Sequence, residues 1–189
     1  MAANITFGAD IPGDDELRLC GDLGDGRRAL ELGISPWFNA TAFAMTGAKA
    51  IAVDPDPERI AETRRRAAAA EVQVQCLQTD LADLGDVNSA SCDVVVAAQT
   101  LGDVDDLGRL LRQVHRILRP SAPLVLALPH PFAAATPDTP YGAGPRTVGS
   151  WFTALSRANF RVDQIVELGA SASSPAPTTL IFRAPKEGS

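Results

Sequence analysis

The chain has 189 residues and a formal net charge of −6, with 46% of residues hydrophobic and 21% charged. That length suits one domain with a sizeable core, and the composition excludes wholesale disorder. The acidic balance disfavours nucleic acid as a partner, because such surfaces need clustered Lys and Arg, and no apolar run reaches the eighteen or so residues of a membrane span.

The first residues lack the basic and apolar regions of a signal peptide. They read as a flexible arm over residues 1–12, ahead of a short helix around 14–23 and a single domain over 13–189. Cys20, Cys76 and Cys92 are an odd number without a CxxC spacing. This argues against a disulfide framework or a thiolate metal site and fits a reduced cytoplasm.

From residue 28 onward, β-rich runs alternate with helical segments. Runs at 28–33, 50–54, 72–77, 92–97 and 123–128 read as strands; several are almost continuously apolar, as in a parallel sheet covered on both faces. Asp56-Pro57 reads as the N-cap and first residue of a helix that runs to about 70. Within it, Glu62 stands four residues before Arg66, the favoured ion-pair orientation.

The clearest helix spans about 105–118. Leu107, Leu110, Leu111, Val114, Ile117 and Leu118 form one apolar stripe at helical spacing. Asp105 and Asp106 at its start and Arg112, Arg116 and Arg119 toward its end match the helix dipole. Pro120 stops it.

Strand–helix–strand units of this kind imply parallel strands with right-handed crossovers. The ending differs. After a helix near 148–158, runs at 160–168 and 178–183 are separated by nine residues of Gly, Ala, Ser and Pro. Nine residues are too few for a helical crossover, so these two strands are expected to pair antiparallel. The proline-rich segment 131–145 reads as a loop over the carboxyl ends of the strands, where open α/β sheets bind ligands.

Three acidic positions stand out: Glu31 in Glu-Leu-Gly33, Asp54 in Ala-Val-Asp-Pro55, and Asp80 in Gln-Thr-Asp-Leu81. Together with the Val-His-Arg-Ile-Leu-Arg-Pro end of the long helix and the run Leu128-Pro-His-Pro-Phe132, this pattern resembles a bacterial branch of the class I S-adenosylmethionine-dependent methyltransferases. The resemblance covers nearly all of residues 13–188. It implies an α/β, Rossmann-like, doubly wound seven-stranded sheet, mostly parallel with an antiparallel C-terminal hairpin, in the order 3-2-1-4-5-7-6. It also implies S-adenosylmethionine as cofactor, a small-molecule acceptor and no metal; a homodimer is a further candidate assembly.

On this resemblance Asp54, with Pro55 beside it, would accept from the ribose hydroxyls, a charged acceptor strengthening each bond. Asp80 would accept from the adenine amino group while Leu81 supplies a backbone N–H. Glu31 would orient the glycine loop or reach the methionine amino group, and Gly33, Ser35 and Gln99 would complete the cofactor site. Each acid also has a purely structural reading, as a strand end or a helix cap.

The pattern departs from the family at the glycine loop. Ser35 and Trp37 stand where the second and third glycines belong, with Pro36 between them. Either Trp37 turns into the core or it closes the cofactor crevice, in which case the protein is a non-catalytic relative serving as partner or regulator. A dinucleotide site fares worse, since Gly33-Ile-Ser-Pro-Trp-Phe38 keeps one of its three glycines.

For proton transfer His130, at the end of the fifth strand between two prolines, is the candidate base, with a loop-bracing hydrogen bond as its structural alternative. His115 reads as a surface or dipole-complementing residue. Thr100 and Tyr141 are candidates to line or close the site, and Trp151 and Phe152 read as core.

Overall fold

The computed structural model describes residues 4–24, 26–102, 104–171 and 175–188. Seven strands form one sheet in the order β3-β2-β1-β4-β5-β7-β6. They are β1 (Arg28–Leu32), β2 (Lys49–Asp54), β3 (Val74–Gln78), β4 (Val94–Ala98), β5 (Pro123–Pro129), β6 (Gln164–Leu168) and β7 (Thr179–Pro185). The first five pair in parallel, while β7 runs antiparallel to both β5 and β6. Both the order and the terminal hairpin agree with the sequence expectation.

Helices α1 (Asp14–Leu17), α2 (Asn39–Met45), α3 (Pro57–Ala69), α4 (Leu107–Ile117) and α5 (Val148–Arg157) connect or flank these strands. Successive strand residues serve opposite faces, as the pleat requires. Leu30, Leu32, Val95 and Leu126 pack with the buried residues of α4 and α5. Ala29, Val94, Val96 and Val125 pack on the other side with Phe43 of α2 and with Ile5 and Phe7. Leu107, Leu110, Leu111, Val114 and Ile117 of α4 are all buried, and each such side chain contributes roughly 1.5–3 kcal/mol over exposure.

The boundaries differ from the sequence reading where side chains or left-handed residues intervene. The first helix stops at Leu17 rather than near 23. Arg18 is left-handed (φ 55°), and the Asp14 carboxylate accepts from Leu19 and Cys20 N–H at 2.7 and 3.0 Å, so those amides cannot continue the helix. The third strand begins at Val74 because Val72 N–H still bonds to Ala67 O behind a left-handed Glu71. The run expected as a strand from 160 makes only an isolated bridge at Phe160 before pairing from Gln164.

Residues 4–12 also depart from a loose arm. Phe7 is fully buried and Ile5 nearly so. Thr6 N–H donates to Asn39 Oδ1 and Thr6 O accepts from Asn39 Nδ2, both at 2.9 Å. The apolar positions in this segment, Ile5 and Phe7, alternate as in a strand, and an alternation that short carries little weight against its polar neighbours.

Candidate functional site

The sheet order reverses direction between β1 and β4, and ligands of open α/β sheets bind at the carboxyl edge of such a switch point. Gly33 turns the chain there with φ +73°, a conformation that favours glycine. A Cβ on Gly33 would lie 2.6 Å from Thr100 Cβ, and Thr100 Oγ1 donates to Leu32 O at 2.7 Å. The first glycine of the loop is therefore required by both conformation and space.

Glu31 explains why Ser35 replaces the next glycine. Its Oε1 accepts from Ser35 N–H at 3.0 Å and Ser35 Oγ at 2.8 Å, and its Oε2 accepts from Ala40 N–H at 2.8 Å. The carboxyl thus holds the loop and the first turn of α2 at once. Burial pushes its pKa up, outweighing the opposing effect of the N–H and O–H donors. Glu31 orients the loop and is fully buried.

Trp37 is half-buried and packs against the cluster formed by α2, the N-terminal segment and the sheet. The loop follows the path that turns the indole into the core, made possible by left-handed Phe38 (φ 53°). Arg66 stacks its guanidinium 4.0 Å from the Phe38 ring centroid.

Asp54 is buried at the end of β2. Its Oδ2 accepts from Ile34 N–H at 2.6 Å and its Oδ1 from Asp56 N–H at 2.8 Å. Each oxygen retains a second lone pair. Arg59 Nη1 donates to Ile34 O, so α3 also grips the loop. Pro55 is exposed beside Asp54, and Thr79 N–H donates to Asp54 O at 3.3 Å, which brings the end of β3 alongside.

Asp80 is exposed and accepts from Ala82 N–H at 2.7 Å, while Leu81 is half-buried against the main core. Gln99 (φ +63°) closes β4 beside Thr100, and its side-chain amide donates to Phe7 O at 3.2 Å. Glu31, Gly33, Ser35, Asp54, Pro55, Asp80, Leu81 and Gln99 thus occupy the carboxyl ends of β1 to β4. Glu31, Ser35, Asp54 and Gln99 each make hydrogen bonds within the protein, and Asp54 keeps acceptor capacity beyond them.

His130 lies elsewhere on that edge. Its Nδ1 accepts from Phe132 N–H at 3.1 Å, which assigns the proton to Nε2, and Nε2–H donates to Glu167 Oε1 of β6 at 2.7 Å. Both nitrogens are engaged, so the ring has no free lone pair with which to accept a proton. The bracing role is what this geometry provides. His115 in α4 bonds to Glu187 O at 2.9 Å and meets Phe160 edge-on.

Tyr141 Oη accepts from Val148 N–H at 3.0 Å, tying the proline-rich loop to α5. Trp151 is buried, as expected, whereas Phe152 is 46% exposed: the two are adjacent on α5 and cannot share its buried face. Burial raises all three thiols, Cys92 to about 11, so none is a ready thiolate nucleophile. Among the described residues no His, Cys, Asp and Glu cluster could hold a metal.

A cavity of about 830 Å³ opens on the same edge, past the ends of β4 and β5. Gly102, Leu128, Pro129, Arg146 and Trp151 are among its walls. Sequence reasoning marked the loop above it and missed Arg146, since a lone Arg in a proline-rich segment carries no spacing signal.

Residues 30–126 match the family model of a methyltransferase domain. A Mycobacterium tuberculosis protein named as a probable S-adenosylmethionine-dependent methyltransferase is 35% identical over 104 residues, or 55% of this chain and 36% of the relative. The chain therefore spans about a third of the length of that curated relative. A Listeria monocytogenes structure described as a candidate S-adenosylmethionine-dependent methyltransferase superposes with a TM-score of 0.76 at 16% identity, covering 91% of this chain and 95% of that one. An S-adenosylmethionine-dependent methyltransferase from Mesorhizobium loti gives 0.73 at 21% identity, covering 90% and 95%. At those identities the two structures attest the fold.

Proposed function

On the premise that this chain belongs to the methyltransferase-domain family, we propose that it transfers the methyl group of S-adenosylmethionine to a small-molecule acceptor. The observation that carries this reading is the placement of Gly33, Asp54 and Asp80 at the carboxyl ends of adjacent strands β1, β2 and β3. The residue types fit the cofactor. Asp54 keeps a spare lone pair on each oxygen for ribose hydroxyls, and exposed Asp80 with Leu81 suits the adenine. Gly33 passes beside the methionyl arm, and Gln99 ends the neighbouring strand.

Trp37 packs against the cluster that holds Ile5, Phe7 and Phe43, which supports an open crevice over the reading of a non-catalytic relative. The bound cofactor supplies an electrophilic methyl group on sulfonium sulfur. Held there, it would give that carbon to an acceptor lone pair, the carbon–sulfur electron pair staying on sulfur and the acceptor's proton going to solvent. The protein's task is then to position the two reactants and exclude water between them. His130 braces the loop over the acceptor side. The three unpaired cysteines and the acidic charge support a reducing, cytoplasmic setting and a partner other than nucleic acid.

Calorimetric titration and thermal unfolding with S-adenosylmethionine and S-adenosylhomocysteine test the proposal. Ligand at 100 times its Kd adds about 2.7 kcal/mol of stability, and no response at millimolar ligand would sink the reading. Asp80→Ala, at an exposed position, should leave stability nearly unchanged and weaken binding about tenfold, equivalent to about 1.4 kcal/mol. Unchanged affinity would remove Asp80 from the site.

A further inference from the structure

The cavity past the ends of β4 and β5 does not end at Trp151. Asp105 and Arg146 line both the cavity and a second groove of about 400 Å³ between α4 and α5. Arg112 and Arg157 join Arg146 along that groove. Among the described residues none of these three arginines has an ion-pair partner, whereas Arg27 and Arg119 pair with Asp93, Arg65 and Arg66 with Glu62, and Arg183 with Asp163.

The charge balance of the groove favours an anion. Asp106 is already engaged as the N-cap of α4, accepting from Arg109 N–H at 2.8 Å, and Asp105 is the other carboxylate on its wall. Among the described residues that line the groove, three guanidiniums stand against two carboxylates, on a chain whose overall charge is −6. Arg146 is held 5.9 Å from the Trp151 ring centroid, a cation–π distance. The guanidinium thereby sits at the junction of groove and cavity. Guanidinium forks match carboxylate and phosphate oxygens in geometry.

The cavity itself is apolar at its base. Leu128 and Trp151 are buried there, with Pro129 and Val104 beside them. A cavity with an apolar floor and polar walls, leading to an arginine-lined groove, suits one class of molecule.

We propose that cavity and groove together bind an apolar small molecule ending in an oxyanion, its body on Leu128 and Trp151 and its head among Arg146, Arg157 and Arg112. Resting on the methyltransferase reading, this is the chemical class of the methyl acceptor, whose far end, toward Gly102, carries the heteroatom lone pair that takes the methyl group. The head is a carboxylate or a phosphate, which share this recognition chemistry.

Calorimetry of the full chain with octyl phosphate, octanoate and 1-octanol, all below their aggregation concentrations, tests the site. The oxyanions should bind at least tenfold more tightly than octanol, and the tighter of the two identifies the head group. Arg146→Gln with Arg157→Gln should weaken the preferred oxyanion at least tenfold and leave octanol unchanged. The variants are at exposed positions; Arg112→Gln, expected to weaken the oxyanion severalfold, is the independent second test if the double variant unfolds.

Equal affinity for octanol and the oxyanions, an unaffected double variant, or no binding of any probe would overturn the proposal. The same preparation is titrated with S-adenosylmethionine. Oxyanion binding without a cofactor response overturns the methyltransferase reading and leaves the site standing, and a cofactor response without oxyanion binding does the reverse.

Discussion

The carboxyl ends of β1 and β2 and those of β4 and β5 belong to one edge of one sheet, yet they are built in opposite ways. At the first pair Glu31, Ser35, Asp54 and Arg59 bond to each other or to the loop between Gly33 and Ala40. At the second pair the edge opens into a cavity with an arginine that has no ion-pair partner among the described residues. Pre-formed hydrogen bonds fix the shape of a site before any ligand arrives and spare it the cost of ordering. An open chamber with unspent charge leaves its shape to whatever fills it. The contrast fits a half that always meets the same ligand and a half whose ligand is particular to this protein.

The sharpest way to break the closed half is Gly33→Ala. A left-handed alanine costs about 1–2 kcal/mol, and its Cβ would meet Thr100 Cβ at 2.6 Å. Together these should destabilise the fold by about 3 kcal/mol, read as a lowered urea midpoint. Thr100→Gly in the same chain should recover part of the loss by clearing the overlap, while the conformational share remains. A Gly33→Ala protein as stable as wild type would mean that the loop takes another path.

Glu31→Gln comes next, at about 1–3 kcal/mol, because the amide offers one acceptor oxygen where the carboxylate used two, stranding a buried N–H. The pH dependence sharpens this test. The folded pKa of Glu31 is raised, chiefly by burial, so the native state binds the extra proton. Its contribution is fully present below the unfolded carboxyl value and is lost as pH rises through the folded one. Glu31→Gln should lack that falling limb. Asp93 acts in the opposite sense: burial would raise its pKa, but the Arg28 N–H and the Arg27 and Arg119 guanidiniums outweigh it and hold it low. Its stabilisation is present above the unfolded value and is lost as pH falls through the folded one, a limb both proteins share.

The closed half was legible in the sequence because its partners are local. Glu31 reaches Ser35 and Ala40 within nine residues, and Asp54 follows Ile34 by twenty, so the resemblance to the family could be carried by a short stretch of residues. The antiparallel ending was legible from the short Gly- and Pro-rich link. The open half was not. Arg112, Arg146 and Arg157 meet only because α4 and α5 pack side by side on one face of the sheet, and no local period announces that. Trp37 showed the limit of reading a departure from a motif: residue type raised the question, and only the left-handed turn at Phe38 answered it. The N-terminal segment was misread for a related reason, since its anchors, Asn39 and Gln99, are distant in the chain.

His130 offers the smallest effect and the cleanest separation between the two halves. A base in the transition state contributes about 10²–10⁴-fold to rate, and its loss would be felt at saturating substrate. A brace acts through the loop over the acceptor cavity. His130→Gln should therefore cost about 1 kcal/mol of stability for the bonds to Glu167 and Phe132, and methyl transfer should change less than about tenfold. The change should appear in KM for the acceptor, with KM for S-adenosylmethionine unmoved, because the closed half makes none of His130's contacts. Glu167→Gln should have a smaller effect than His130→Gln, since an amide in its place still offers an oxygen to Nε2–H. A hundredfold fall in kcat with KM unchanged would return His130 to the chemistry and require Phe132 N–H to release Nδ1 on binding.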